Sequence, residues 1–118
     1  FVSGQGGRRD HAEALRLYRK AAEHGDVQAM FAIGALLGGG HHIPPDRPRA
    51  QRWFLAAAER GHAQAQLMLG RYYLHGTAGE RDAAKARLWL ERAHAQGASE
   101  AAFYLAELPP PSAGTPRA

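Results

Sequence analysis

The sequence repeats itself at a spacing of 36 residues, which points to a fold built from similar units stacked in a row. Asp10, Asp46 and Asp82 share one column of the repeat, and no insertion separates the copies. Further columns hold Ala14, Ala50 and Ala86; Ala21, Ala57 and Ala93; Gly25, Gly61 and Gly97; Ala29, Ala65 and Ala101; and Gly4, Gly40 and Gly76. So many identities at one spacing exceed chance, so each unit must be the same supersecondary structure.

Within each unit the apolar residues follow the helical spacing i, i+3, i+4, i+7. The aspartates are expected to cap helix N-termini, and the glycines at 25, 61 and 97 to end helices in a left-handed conformation. The pattern predicts an all-α fold, with loops at 39–45 and 76–81. The predicted helices span 10–24, 26–38, 46–60, 62–75, 82–96 and 98–108.

Trp53 and Trp89 occupy equivalent positions and are predicted to lie mostly buried between helical hairpins. On that basis Trp53→Ala should cost about 3–5 kcal/mol of stability. The outermost helices, 10–24 and 98–108, should expose apolar side chains on the faces that a further repeat would cover, so self-association through these ends is expected.

The residue pattern resembles the Sel1-like repeat, a relative of the tetratricopeptide repeat with a longer loop inside each hairpin. The clearest match is Ala-Gln-Leu-Met-Leu-Gly-Arg-Tyr-Tyr-Leu-His-Gly at 65–76, followed by Asp-Ala-Ala-Lys-Ala-Arg-Leu-Trp-Leu-Glu-Arg-Ala at 82–93. The resemblance covers residues 1–108. It implies an α-solenoid of antiparallel helical hairpins that winds as a right-handed superhelix.

The family frame also implies a division of the chain. Residues 26–61 and 62–97 form two full repeats, and 10–25 and 98–108 form half repeats at the ends. Phe1 to Ser3 align with the last turn of a helix, and the proline-rich stretch 109–118 is predicted to be a tail or linker. Because the chain opens with Phe1 rather than Met, we expect it to be a fragment of a longer protein. A bacterial cytoplasm and a periplasm both stay open as its compartment.

No motif points to catalysis or to a cofactor. The chain has no cysteine, no Gly-x-Ser-x-Gly and no His-Glu-x-x-His, and its glycine runs lie in helical loops rather than after strands. His41 and His42 lack further ligands at metal-binding spacing, so no metal is expected. The net charge is +4, but the arginines are interleaved with acids, so we expect no nucleic-acid partner. No run is long enough for membrane insertion.

The resemblance implies a non-catalytic scaffold or adaptor that binds a protein or peptide along its concave groove. The alternative is a regulatory or localising segment of a larger bacterial envelope, signalling or enzyme protein. By analogy with tetratricopeptide arrays, the first helix of each hairpin should line the groove. The predicted groove residues are Gln28, Phe31, Ala35, Gln64, Leu67, Arg71, His75, Glu100, Phe103 and Glu107. Arg71, at the centre, could pair with a carboxylate through its planar guanidinium.

Overall fold

The fold, described by a computed structural model for residues 3–39 and 44–109 and for side chains from residue 11 onward, is a row of helices. The described residues contain no strand and six helices, so the all-α prediction is confirmed. The helices are α1 (Ser3–Glu23), α2 (Val27–Leu37), α3 (Arg47–Glu59), α4 (Ala63–His75), α5 (Ala83–Ala95) and α6 (Ala101–Leu105).

Three glycines mark the tight turns from α1 to α2, α3 to α4, and α5 to α6. Gly25, Gly61 and Gly97 have φ angles of 90°, 90° and 97°, the left-handed region that side chains disfavour. Because each turn is this short, each helix folds back along the one before it. The glycine prediction is therefore confirmed at all three positions.

Two of the three predicted aspartate caps are also confirmed. The Arg49 amide donates to the Asp46 carboxylate at 3.2 Å, and the Lys85 amide donates to Asp82 at 3.0 Å. Each bond satisfies an amide in the first helical turn that has no partner within the helix.

The third aspartate, Asp10, does not begin a helix. Helix α1 already starts at Ser3 and runs through Asp10, so both the predicted start at residue 10 and the predicted helix end at Ser3 are wrong. No proline interrupts residues 3–10, whereas Pro44 and Pro45 keep the chain extended before Asp46.

Backbone hydrogen bonds from Asp46 and Asp82 to the preceding helix give a second reason for this difference. The Asp46 amide donates to the Leu37 carbonyl at 2.7 Å, and the Asp82 amide donates to the Tyr73 carbonyl at 2.9 Å. These bonds fold the long loop of a hairpin back onto its first helix. The equivalent carbonyl for Asp10 belongs to Phe1, which lies outside the described residues.

The last helix is shorter than predicted. The amides of Ala101, Ala102 and Phe103 donate to carbonyls only three residues back, so the stretch enters α6 as a tight turn. Glu100 precedes the helix without a side-chain cap, and α6 is regular only from Ala101 to Leu105.

Successive helices approach closely where a glycine faces a large side chain. Phe54 of α3 lies against Gly34 of α2, and Leu90 of α5 lies against Gly70 of α4. Phe54 and Leu90 are both 0 % exposed. The same packing therefore recurs one repeat later, with Phe54 and Leu90 each in one of two apolar clusters.

The two tryptophans differ in burial. Trp89 is 6 % exposed, as predicted, and the guanidinium of Arg92 stacks over its ring with the carbon 4.8 Å from the ring centroid. Trp53 is more exposed than Trp89 and packs at the edge of the core beside Phe54, but most of its surface is covered. The prediction that both tryptophans would be mostly buried is therefore confirmed.

Both ends of the array expose apolar side chains, as predicted. Leu17 and Tyr18 on α1 are 52 % and 39 % exposed, and Phe103 on α6 is 73 % exposed. Tyr18 falls in the column of Phe54 and Leu90, which a preceding helix covers. Its exposure shows that α1 presents an unused packing face.

Candidate functional site

The accessible edge of α4 is formed by Gln64, Met68, Arg71 and His75. These positions follow one another at i, i+4, i+7 and i+11, so they lie on one side of the helix. Gln64 and His75 are exposed, and the two residues between them are half-buried. Gln64, Arg71 and His75 were among the predicted groove residues, and Met68 was not.

Leu67 is not part of that edge, and its assignment to the groove is wrong. It is 2 % exposed and lies in the apolar cluster with Leu90 and Ala101. One residue in an α-helix is a rotation of about 100°, so the side chain next to Met68 points into the core.

The column of Phe31, Leu67 and Phe103 serves packing between repeats. Phe31 is half-buried, with its ring stacked on His62 at 4.8 Å and tilted against Phe54 at 5.6 Å between centroids. Phe103 is exposed because no helix follows α6 among the described residues. Phe103 is therefore exposed and Phe31 is partly accessible, whereas Leu67 is not available to a partner.

Side chains of α4 and α6 meet at the predicted positions. The Arg71 guanidinium carbon lies 5.0 Å from the centroid of the Tyr104 ring, and His75 meets the same ring edge-on at 6.3 Å. His75 Nε2 is 3.5 Å from Glu107 Oε1, a contact that becomes an ion pair when the imidazole is protonated. The fold thus brings Arg71, His75 and Glu107 together. Gln64 and Glu100 are exposed and do not join this cluster.

A pocket of about 200 Å³ opens beside this cluster. Its lining residues are Gly38, Arg47, Met68, Arg71, Tyr72, His75 and Thr77. Arg47 comes from the first turn of α3, and its Nε donates to the Gly38 carbonyl at 3.2 Å. Sequence reasoning missed Arg47 because no repeat column predicts that it meets α4.

Arg71 is incompletely satisfied in this position. Its Nη1 lies 3.6 Å from the Met68 sulfur, a weak acceptor, and its Nε is buried without any hydrogen-bond partner. Tyr72 is buried alongside, and burial raises the pKa of its hydroxyl while Arg47 and Arg71 partly offset that rise. Both guanidinium groups therefore exert their positive charge on the Tyr72 hydroxyl, and Tyr72 is part of the pocket wall.

On the α2 side, Gln28 and His62 link neighbouring repeats. His62 Nδ1 accepts from the Ala65 amide at 3.0 Å and so caps α4, while Nε2 lies 2.9 Å from Gln28 Oε1. Since a ring nitrogen that accepts carries no proton, the imidazole is neutral with its proton on Nε2. His24, by contrast, lies at a helix C-terminus, with its Nδ1 2.8 Å from the Lys20 carbonyl.

This cap should make stability depend on pH. Burial lowers the pKa of His62 below its ordinary value of 6.5. As the pH falls through that value, the unfolded chain takes up the proton more readily, so the stabilisation present at higher pH is lost. Urea denaturation of wild type between about pH 7 and pH 5 should show this decrease. His62→Asn keeps a capping acceptor that does not titrate, and its stability should fall less; an identical pH profile would contradict the capping role.

Residues 3–39 and 44–109 contain no group of three or more His, Asp or Glu side chains that could hold a metal ion, and no helix within them has the length and hydrophobicity of a membrane span. His41 and His42, the weak metal candidates, lie outside the described residues.

Comparisons with known proteins agree with this geometry. A family profile described as Sel1 repeat matches residues 2–26, 27–62 and 63–97. The crystal structure of a Sel1 repeat protein from Oxalobacter formigenes is similar, with a TM-score of 0.70 and 35 % identity over 77 % of this chain. The match covers 36 % of that protein, so this chain spans about a third of its length. No curated protein matches the sequence.

Repeats of this kind generally mediate protein–protein interactions, and the family is a non-catalytic scaffold. The three matched segments cover nearly all of the helical array, including the turns at Gly25 and Gly61. Together with the α-helical hairpins and the recurring glycine contacts, they show that the chain belongs to the Sel1 repeat family.

Proposed function

We propose that the chain is a non-catalytic interaction module that binds a peptide segment of a protein partner across α2, α4 and α6. The observation that carries this proposal is the continuous accessible edge of α4, flanked by Gln28 on α2 and by Glu107 just beyond α6. The edge consists of Gln64, Met68, Arg71 and His75. It mixes amides, both charge signs and one flexible apolar side chain. Such a surface offers both contact area and directional hydrogen bonds.

Contacts among the even-numbered helices support this location. Gln28 meets His62 at the start of α4, and His75 meets Glu107 beyond α6, so the three helices form one connected surface. Phe103 adds an exposed aromatic ring at its far end. Aromatic side chains contribute strongly to binding when a partner buries them.

The test uses a random 12-residue peptide library displayed on phage and selected against wild type. Peptides that bind should lose at least about tenfold in affinity, or about 1.4 kcal/mol, with Gln64→Lys. Gln64 is exposed and outside both apolar clusters, so this change should leave the fold intact.

Leu88→Lys is the matched control. Leu88 is an exposed apolar residue on α5, 41 % accessible, and it shares its column with Arg16 and Arg52, so a cation is tolerated there. Binding should be unchanged. Loss of binding with Leu88→Lys and not with Gln64→Lys would place the surface on the outer helices and contradict the proposal.

The second candidate, a regulatory or localising segment of a larger protein, draws support from the Oxalobacter formigenes protein, of which the chain covers only 36 %. In this case the array would still bind a partner, and the partner could be another part of the same polypeptide. Self-association is a further proposal, supported by the exposed Leu17, Tyr18 and Phe103 at the two ends.

A further inference from the structure

The pocket between α3 and α4 combines two cations with a buried, unused donor. Arg47 and Arg71 both line it, and no acidic side chain among the described residues forms an ion pair with either one. Glu107 lies against His75 instead. The fold therefore leaves two guanidinium groups beside one cavity without a counter-ion.

The unsatisfied Nε of Arg71 strengthens this observation. Native proteins pair nearly all buried polar groups, so an unpaired buried donor calls for an explanation, often a functional one. The stacking of Arg71 on Tyr104 and its contact with the Met68 sulfur hold the guanidinium in place and leave its Nε without an acceptor.

We infer that this pocket receives the side-chain carboxylate of an aspartate or glutamate in the bound peptide. The carboxylate would accept from Arg71 and from Arg47, whose orientation the Gly38 carbonyl already fixes. Guanidinium and carboxylate groups match in planar geometry, and charge-assisted bonds between them are strong. The net charge of +4 also favours an acidic partner at long range.

This inference rests on the proposed binding surface and adds the chemistry of one contact. Arg71 belongs both to the edge of α4 and to the pocket wall, so a peptide lying on that edge can place one side chain in the pocket. Gln64, two turns away on the same edge, does not line the pocket.

The experiment is a double-mutant cycle with peptides from the phage selection, synthesised with amidated C-termini. We expect enriched peptides to carry an acidic residue. Its replacement by the matching amide should weaken binding to wild type at least about tenfold, or about 1.4 kcal/mol. With Arg71→Gln or Arg47→Gln the same replacement should change affinity less than about threefold. Arg52→Gln, an exposed arginine on α3 outside the pocket, should behave as wild type.

The outcomes separate the two proposals. Peptides without an acid that still require Gln64 would overturn the carboxylate pocket and leave the binding surface standing. An acid whose contribution is equal in wild type and in both pocket variants would do the same. Absence of any peptide dependent on Gln64 would overturn the proposed surface, and the pocket with it. If an arginine variant folds poorly, replacement of the peptide's acid by its amide still tests the inference on the wild-type protein.

Discussion

Phe54→Ala should destabilise the protein by about 3–5 kcal/mol, the range for large-to-small changes in a core. Phe54 is 0 % exposed, lies against Gly34, and meets Tyr72 edge-on at 5.4 Å between ring centroids. Its loss would open a cavity between α2, α3 and α4. Since domains are stable by only about 5–15 kcal/mol, the variant should be partly or wholly unfolded at room temperature. Urea denaturation followed by circular dichroism measures the effect.

Trp53→Ala is the matched control for this prediction. The sequence analysis assigned about 3–5 kcal/mol to Trp53→Ala, but Trp53 lies at the edge of the core and not inside it. Water can enter the space that Trp53→Ala leaves, whereas Phe54→Ala leaves an enclosed cavity, so the loss should be smaller than that of Phe54→Ala. Equal losses, or a larger loss at Trp53, would contradict the assignment of Phe54 as the inward residue.

Gly70→Ala should destabilise the protein by up to about 2 kcal/mol. A methyl group at Gly70 would lie 2.6 Å from Cγ of Leu90 and 3.3 Å from its backbone nitrogen, so α4 and α5 would have to move apart. Overpacking of this kind costs about 1–3 kcal/mol. Alanine recovers part of it, because glycine in a helix is about 1 kcal/mol less favourable.

The sign of this effect should reverse when Leu90 is shortened. In a Leu90→Ala background the clash is gone, so Gly70→Ala should stabilise by up to about 1 kcal/mol through helix propensity alone. Chemical denaturation of the four proteins completes the cycle. A destabilisation of the same size in both backgrounds would show that close approach to Leu90 is not the reason for glycine at this position.

The repeat spacing alone predicted most of the fold, because helix ends depend on local chemistry. Asp46 and Asp82 cap helices, and Gly61 and Gly97 end them, through bonds and φ angles confined to a few residues. Asp10 carries the same local signal and fails. At Asp46 and Asp82 the loop is held by a backbone hydrogen bond to the preceding helix. The presence or absence of such a bond cannot be predicted from Asp10 itself.

The candidate site was less predictable, since it depends on how helices face each other. The predicted stripe held Leu67 in place of Met68, and burial decides between them only once α5 and α6 are in place. Arg47 joins Arg71 across separate helices, so its role depends on tertiary packing.

Chemical-shift mapping of a selected peptide bound to isotope-labelled protein tests the central claim most directly. If the peptide lies across α2, α4 and α6, the largest backbone shift changes should fall at Gln28, Gln64, Met68 and Arg71, with additional changes at Glu107. Amides around Arg52 on α3 and Leu88 on α5 should barely move. Changes concentrated around Arg52 and Leu88, with the α4 edge unaffected, would contradict the account.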